Sequence, residues 1–419
     1  MRYLPAVLVG RLLRRLVRVI RPGGGSALPG LVLSKLAPGL LYRVLSGFPL
    51  GLVIITGSAG KSTTTKMTVA IARAHGLSVF TNPTTANILQ GYYSTILQFG
   101  DMRGRVNGQI AILEMDEGHA AELVRKVAPN FVTILNVVED QLDRFVDPAL
   151  VREKLLTVAR HASAGVCLNS NDQNLIMMQQ QLFSKDITWF GFAPALDEVD
   201  LHYANTYLPD LPEPEPQTLV DSILGTRVRA TVHGAPVDID LPSRGAHFAL
   251  DAAAALETSR RVLGEQFNLE LAETTLNELP PVFARGEIAL VRGVEIEFIL
   301  IQNPASTQLN LDNLPKGLER VFFAIGRDVH DPSWLWTVDP KNLPSVDVVS
   351  GFNFAEAELW LLNNAVSIGR SIEPLDEAFD YWLGLPEPSH SVRTVIFSAD
   401  AMRRTRRMLG LTDPEAVER

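Results

Sequence analysis

The chain has 419 residues, of which 46 % are hydrophobic and 20 % charged. That composition is globular, and the length allows two or three domains while excluding a disordered or collagen-like chain. A single cysteine excludes a disulfide framework and a cysteine-based structural zinc site, and it fits a reducing compartment. The net charge of −9 is unevenly spread. Eleven Lys and Arg, and no Asp or Glu, precede Asp101. A phosphate-binding half, an anionic partner or a membrane surface would each fit that asymmetry.

Leu4 to Ile20 reads as a helix with Arg11, Arg14, Arg15 and Arg18 on one face and leucines over much of the rest. It is too interrupted by charge to span a bilayer, and its charges run through the apolar stretch instead of preceding it as in a signal peptide. Two readings stand: a basic helix lying on an anionic membrane, or a helix packing its apolar face on the body. After the break at Arg21–Ser26, Leu31–Leu45 is expected as a second helix. Leu52–Thr56 is an apolar strand, Ser62–His75 its following helix, and Leu77–Thr81 a second strand. Gln109–Glu114 and Phe131–Asn136 add two buried strands. Strands alternating with helices predict an α/β fold with a parallel, doubly wound sheet.

From Asp186 to Pro242 the character changes. Leu208–Pro216 is proline-rich and reads as a turn or linker, and Thr226–Val232 with Val237–Leu241 reads as a hairpin around Gly234. Phe248–Leu263 is an alanine-rich helix. A boundary falls near Pro280–Glu287. Beyond it, Glu295–Ile301, Arg320–Ile325, Val346–Ser350, Glu356–Asn363, Arg393–Ser398 and Ala401–Leu409 alternate as strands and helices, enough for a second α/β domain.

The chemistry-bearing segment is Thr56-Gly57-Ser58-Ala59-Gly60-Lys61-Ser62-Thr63-Thr64. A β-branched strand feeds a glycine-bounded loop, a lysine, a hydroxyl and a helix start. Such a loop turns backbone N–H groups onto phosphate, with the helix N-terminus adding positive potential. Lys61 would reach the β/γ-phosphates and Ser62 would ligate Mg²⁺. Only two residues separate Gly57 from Gly60, where the usual phosphate loop has four. The strand ending at Glu114 places a carboxylate at the carboxyl edge of the sheet, as a Mg²⁺ ligand or as one of a run of acids (with Asp116 and Glu117) favoured at a helix start. Asn136 is an adenine or phosphate donor, and Asp140 and Asp143 are metal-linked or helix caps. Cys167 lies in an apolar run and reads as buried structure, not a nucleophile.

Taken in order, Thr56-Gly-x-x-Gly-Lys61-Ser62-Thr63, Glu114-x-Asp116-Glu117 and Asn136-x-x-x-Asp140-x-Leu-Asp143-Arg144 resemble the Mur ligase ATP-binding domain, whose loop has this short spacing. Gly245-Ala246-His247, Arg285-x-Glu287 and Asn303-Pro304 resemble later motifs of that superfamily. Within it the chain is most similar to the MurT family, by its arginine-rich start, the stretch Gly23–Gly30, Asp140-Gln141-Leu-Asp143-Arg144, and Gly326-Arg327-Asp328-Val329 followed by Ser333-Trp334-Leu335-Trp336. The resemblance implies a basic helical segment at 1–45, a central ATP-binding domain at 46–285, and a C-terminal Rossmann-like α/β domain at 286–419. It implies ATP held by Thr56, Gly57, Ser58, Ala59, Gly60, Lys61, Ser62, Thr63, Asn136, Asp140 and Arg285. Mg²⁺ would lie on Ser62 and Glu114, with Lys61, Glu114 and Asp328 catalytic. The implied reaction is ATP-dependent amidation of the D-glutamate of lipid II. Ammonia would come from a partner glutaminase, a GatD-like class I glutamine amidotransferase, and the enzyme would be cytoplasmic, at the inner membrane face.

The departures are specific. The family's four-cysteine zinc ribbon has no counterpart in the divergent stretch at about 188–242, so zinc is not carried over. Ser58-Ala59 and Ser62 replace Thr-Asn and Thr, Gln302 a lysine, Phe248 an Asn, Asp251 a later Asn and Ile325 an Asp, and three residues part Val329 from Ser333. Two alternatives stay open: a non-catalytic ATP-binding scaffold, and a folylpolyglutamate synthase-like ligase. Lys154, eleven residues past Asp143, is for the latter a candidate carbamylated lysine, or else a solvated helix charge.

Overall fold

A computed structural model describes residues 3–20, 27–82, 88–138, 147–196, 201, 203–204, 211–280, 285–315, 317–343, 345–389 and 391–411. They divide into two units, one drawn from Met1–Val137, Asp147–Asp240 and Phe248–Leu279, the other from Val138–Val146, Leu241–His247 and Pro280–Arg419.

The first unit opens with α1 (Leu4–Ile20), α2 (Ala27–Leu36) and α3 (Leu40–Leu45), followed by β1 (Leu52–Thr56), α4 (Lys61–Ala74), β2 (Val79–Phe80), α5 (Leu89–Phe99), β3 (Ile110–Glu114), α6 (Glu117–Leu123) and β4 (Phe131–Ile134). It continues through α7 (Pro148–Arg160), β5 (Gly165–Asn169), α8 (Gln173–Gln179), β6 (Ile187–Phe192), β7 (Thr218–Leu224), β8 (Arg227–Val232), β9 (Ala235–Asp240), α9 (Ala246–Leu263) and α10 (Leu269–Asn277). Its strands form one sheet in the order β2-β3-β1-β4-β5-β6-β7-β8-β9. Pairing is parallel from β2 to β7 and antiparallel from β7 to β9. Every residue of β1, β3 and β5 is buried, as expected of strands covered on both faces.

Several expectations change here. The helix expected at Leu31–Leu45 is two helices, because Pro38 lacks an N–H and disfavours helical backbone at Ala37. The hairpin expected around Gly234 is β8–β9, and β6 and β7, which were not anticipated, join it to the parallel sheet. The apolar side of α1 does not pack on the body: Leu8, Leu12 and Leu16 are exposed, while Val7 and Gly10 are buried.

The second unit contains β10 (Arg285–Val291), β11 (Val294–Leu300), α11 (Pro304–Asp312), β12 (Val321–Ala324), β13 (Ser345–Ser350), α12 (Phe354–Asn363), β14 (Ser367–Ile372), α13 (Leu375–Leu383), β15 (Arg393–Phe397) and α14 (Ala399–Met408). The sheet order is β10-β11-β15-β12-β13-β14, parallel except for the β10–β11 hairpin. Trp360 anchors one side of its core, its indole donating to the Val338 carbonyl at 3.1 Å and its ring 5.7 Å from Phe323.

Two outcomes follow from packing and burial. Trp360→Ala is expected to destabilise the protein by about 3–5 kcal/mol, read by urea denaturation; an unchanged midpoint would contradict this core assignment. Asp172 is fully buried at the head of α8, and burial pushes its carboxyl up to about 6 against the lowering effect of the Val137 and Asn174 N–H groups. A folded-state value above the ordinary 3.8 means that its stabilising contribution is full below pH about 4 and lost as pH rises through about 6. Between pH 4 and 7 the wild type should therefore lose on the order of 2–3 kcal/mol relative to Asp172→Asn. Parallel stability curves for the two proteins would refute it.

Candidate functional site

Three strand ends build the site. β1 lies between β3 and β4, with Ile55 opposite Glu114 and Thr56 opposite Ile134, so the segments leaving all three strands emerge together. Gly57 and Gly60 carry φ of 128° and 83°, which side-chain-bearing residues rarely adopt. A Cβ on Gly60 would lie 2.1 Å from Asp251 Oδ1, and one on Gly57 3.0 Å from the backbone nitrogens of Leu135 and Asn136. The loop therefore needs both glycines. Asn136 locks it: its Oδ1 accepts from Ala59 N at 2.8 Å, and its backbone carbonyl accepts from Ser58 N at 3.1 Å. Asp172 holds the next residue, accepting from Val137 N at 2.6 Å.

Lys61 begins α4, and its ammonium donates to the carbonyls of Gly57 and Ser58 and lies 3.4 Å from Glu117 Oε1. The Glu117 carboxyl is raised above its ordinary range by burial, with the Lys61 charge working against the rise. Ser62 Oγ donates to Glu114 Oε1 at 2.9 Å. The backbone at Glu114 is clamped by Asn82, which accepts from Glu114 N at 3.0 Å and donates to its carbonyl at 3.3 Å, and by the Tyr92 hydroxyl, which donates to the same carbonyl. Burial, and then the Glu114 and Asp116 charges, push Tyr92 well above its ordinary range and keep it a neutral donor. Thr56 and Thr63 are buried, and neither hydroxyl has a hydrogen-bond partner among the described residues.

These residues fit a nucleotide and a divalent cation. The cradle excludes side chains at two points, a half-buried ammonium rests on the loop carbonyls, and the Thr63 hydroxyl is a buried donor in the first turn of a helix. Ser62 Oγ and Glu114 Oε1, hydrogen-bonded at 2.9 Å, are hard oxygen donors of the kind Mg²⁺ takes, and they would hold the cation.

Other expected residues fall elsewhere. Asp116 caps α6, accepting from Gly118 N and His119 N. Asp140 and Asp143 lie outside the described residues, as does the Arg285 side chain, although Arg285 opens β10 opposite Ile299. Asp328 belongs to the second unit, where its Oδ1 accepts from Ser398 Oγ at 2.7 Å beyond the ends of β12 and β15. Asn303 caps α11 through Ser306 N. Glu287 pairs with Arg406 at 2.7 Å. Lys154 is half-buried on α7. Burial drives the Cys167 thiol well above its ordinary range, consistent with structure and not nucleophilic chemistry. The sequence reading missed Asn82 and Asp172, met Asp251 only as the replacement of a family Asn, and took Glu117 as a metal candidate or one of a run of acids at a helix start. Each acts here through a contact 32 to 187 residues away in the chain.

Comparison with known proteins agrees with this geometry. Residues 55–259 match the Mur ligase middle domain. The MurT subunit of the glutamine-hydrolysing lipid II isoglutaminyl synthase of Streptococcus pneumoniae is 25 % identical over 365 residues, 78 % of this chain and 79 % of that protein. Among solved structures, MurF ligase of Thermotoga maritima in complex with ADP superposes with a TM-score of 0.64 at 20 % identity, covering 91 % of this chain and 83 % of that one. Folylpolyglutamate synthase of Mycobacterium tuberculosis, complexed with ADP and AMPPCP, gives 0.66 at 15 % identity, covering 97 % and 100 %. Residues 55–259 are thus a Mur ligase middle domain, in a chain that is similar to a MurT subunit over most of its length.

Proposed function

We propose that this chain is the ATP-dependent ligase subunit of a glutamine-hydrolysing amidating enzyme, acting on the D-glutamate carboxylate of lipid II. The observation that carries the reading is the Lys61–Ser62–Glu114 constellation on a loop with two-residue glycine spacing. Similarity to a MurT subunit over most of the chain supports the choice of substrate and of a separate glutaminase partner.

ATP and Mg²⁺ would supply an activated phosphoryl group and charge neutralisation, so that a carboxylate oxygen takes the γ-phosphoryl group, ammonia attacks the acyl carbon, and phosphate departs as the amide forms. The chain's own residues position and shield. Asn136 accepts the Ser58 and Ala59 N–H groups and so fixes the shape of the loop that would cradle the phosphates. Lys61 holds positive charge where charge develops, and Glu117 orients that ammonium. Ser62 and Glu114 would hold the cation. Asp328, Asp140 and Arg285 complete the proposed set, Asp328 serving the coupling to the glutaminase.

The test is purified chain with lipid II, Mg²⁺, ATP and ammonium, reading phosphate release and the amidated product by mass spectrometry. Lys61→Ala should lower turnover roughly 100-fold or more. Nucleotide binding without any turnover would favour a scaffold. Transfer of glutamate in place of ammonia would favour an amino-acid ligase. Recovery of no class I amidotransferase with the chain from its native host would remove the partner.

A further inference from the structure

The helix α1 is mounted with its charged side toward the body and its apolar side outward. Val7 is fully buried, and a Cβ on Gly10 would meet Leu97 Cδ2 at 2.9 Å, so this is the packed edge. Next to it, Arg11 donates to the carbonyls of Gly100 and Asp101 just past the end of α5 and contacts Met102 Sδ at 3.0 Å. Arg14 donates to Gln98 Oε1 at 2.6 Å. Cations at a helix C-terminus answer its unpaired carbonyls and negative potential, and that attraction sets which side of α1 faces in. The opposite side carries Leu8 (43 % exposed), Val9 (48 %), Leu12 (61 %) and Leu16 (51 %), at helical spacing, with Arg15 exposed among them. Beside this stripe, Arg11, Arg14 and Arg15 line a single groove with Leu97 and Gln98.

We propose that this outer face of α1 docks in the plane of an anionic lipid bilayer, with the leucines in the acyl boundary and Arg15, exposed among them, on a headgroup phosphate. Charge selects the occupant. Arg15 is exposed within the apolar stripe, Arg11 and Arg14 line the groove beside it, and α1 itself carries no acidic residue. Seventeen residues span about 25 Å, less than the hydrocarbon core, and no helix among the described residues is long and apolar enough to cross a membrane. The helix therefore lies on the surface. The proposal is independent of the nucleotide chemistry.

Co-sedimentation of the full chain with vesicles of phosphatidylcholine and phosphatidylglycerol, against phosphatidylcholine alone, tests it. Binding is expected to the mixed vesicles and to fall at least tenfold on the neutral ones. Leu12→Glu with Leu16→Glu should lower it at least tenfold at an unchanged melting temperature, because both side chains are already in water. Arg15→Glu should weaken it about tenfold and make the residual binding insensitive to anionic lipid. Lys61→Ala should bind vesicles as the wild type does, which separates this outcome from the ligase assay. Wild-type binding by the double leucine variant would overturn the proposal. So would lipid-free self-association that the same variant abolishes, since the face would then be covered by a second copy. A melting shift with inorganic phosphate but no vesicle binding would overturn it as well.

Discussion

The candidate site depends on the parallel pairing of β1 between β3 and β4. Slipping either neighbour by one residue would turn the Glu114 side chain or the Asn136 segment to the opposite face. In the observed register, one carboxylate, one amide and one glycine-bounded loop meet at the carboxyl edge of a sheet whose three central strands cannot shift without exposing continuous apolar runs. Asn82 and Tyr92 clamp the Glu114 backbone from one side, and Asp172 clamps Val137 from the other. The side chains that meet the loop are therefore held by buried hydrogen bonds, which suits a site that must present fixed charges without reorganising.

The same logic explains which departures from the Mur ligase pattern the loop tolerates. Ser62 keeps the hydroxyl that bonds Glu114. Ala59 contributes its backbone N–H to Asn136, and that contact makes no demand on its side chain. The described residues of the stretch without cysteines supply most of β6 and all of β7 to β9, which join the sheet through main-chain hydrogen bonds.

The loop, its lysine and the strand-end carboxylate were legible in the sequence because each is a local pattern: an apolar run, a turn that needs glycine, a helix start. The parallel core strands were legible for the same reason. Glu117 as the partner of Lys61 was not, because two acids precede it and only the fold selects which one reaches the ammonium. Asp251 stood out only as the replacement of a family Asn, and its hydrogen bond with Thr64 Oγ1, 187 residues away, left no local trace. The amphipathic period of α1 was visible, but its orientation was not. Period alone says that a helix has two faces, and the carbonyls beyond the end of α5 decide which one turns inward.

The Lys61–Ser62–Glu114 site is proposed to activate a carboxylate by phosphoryl transfer. The most direct measurement uses lipid II labelled with ¹⁸O in the D-glutamate carboxylate and follows the label into released phosphate. Carboxylate activation predicts one labelled oxygen in each phosphate formed, with amidated lipid II in equal amount. Phosphate released without label would contradict it, because the γ-phosphoryl group would then have gone to water and not to the substrate.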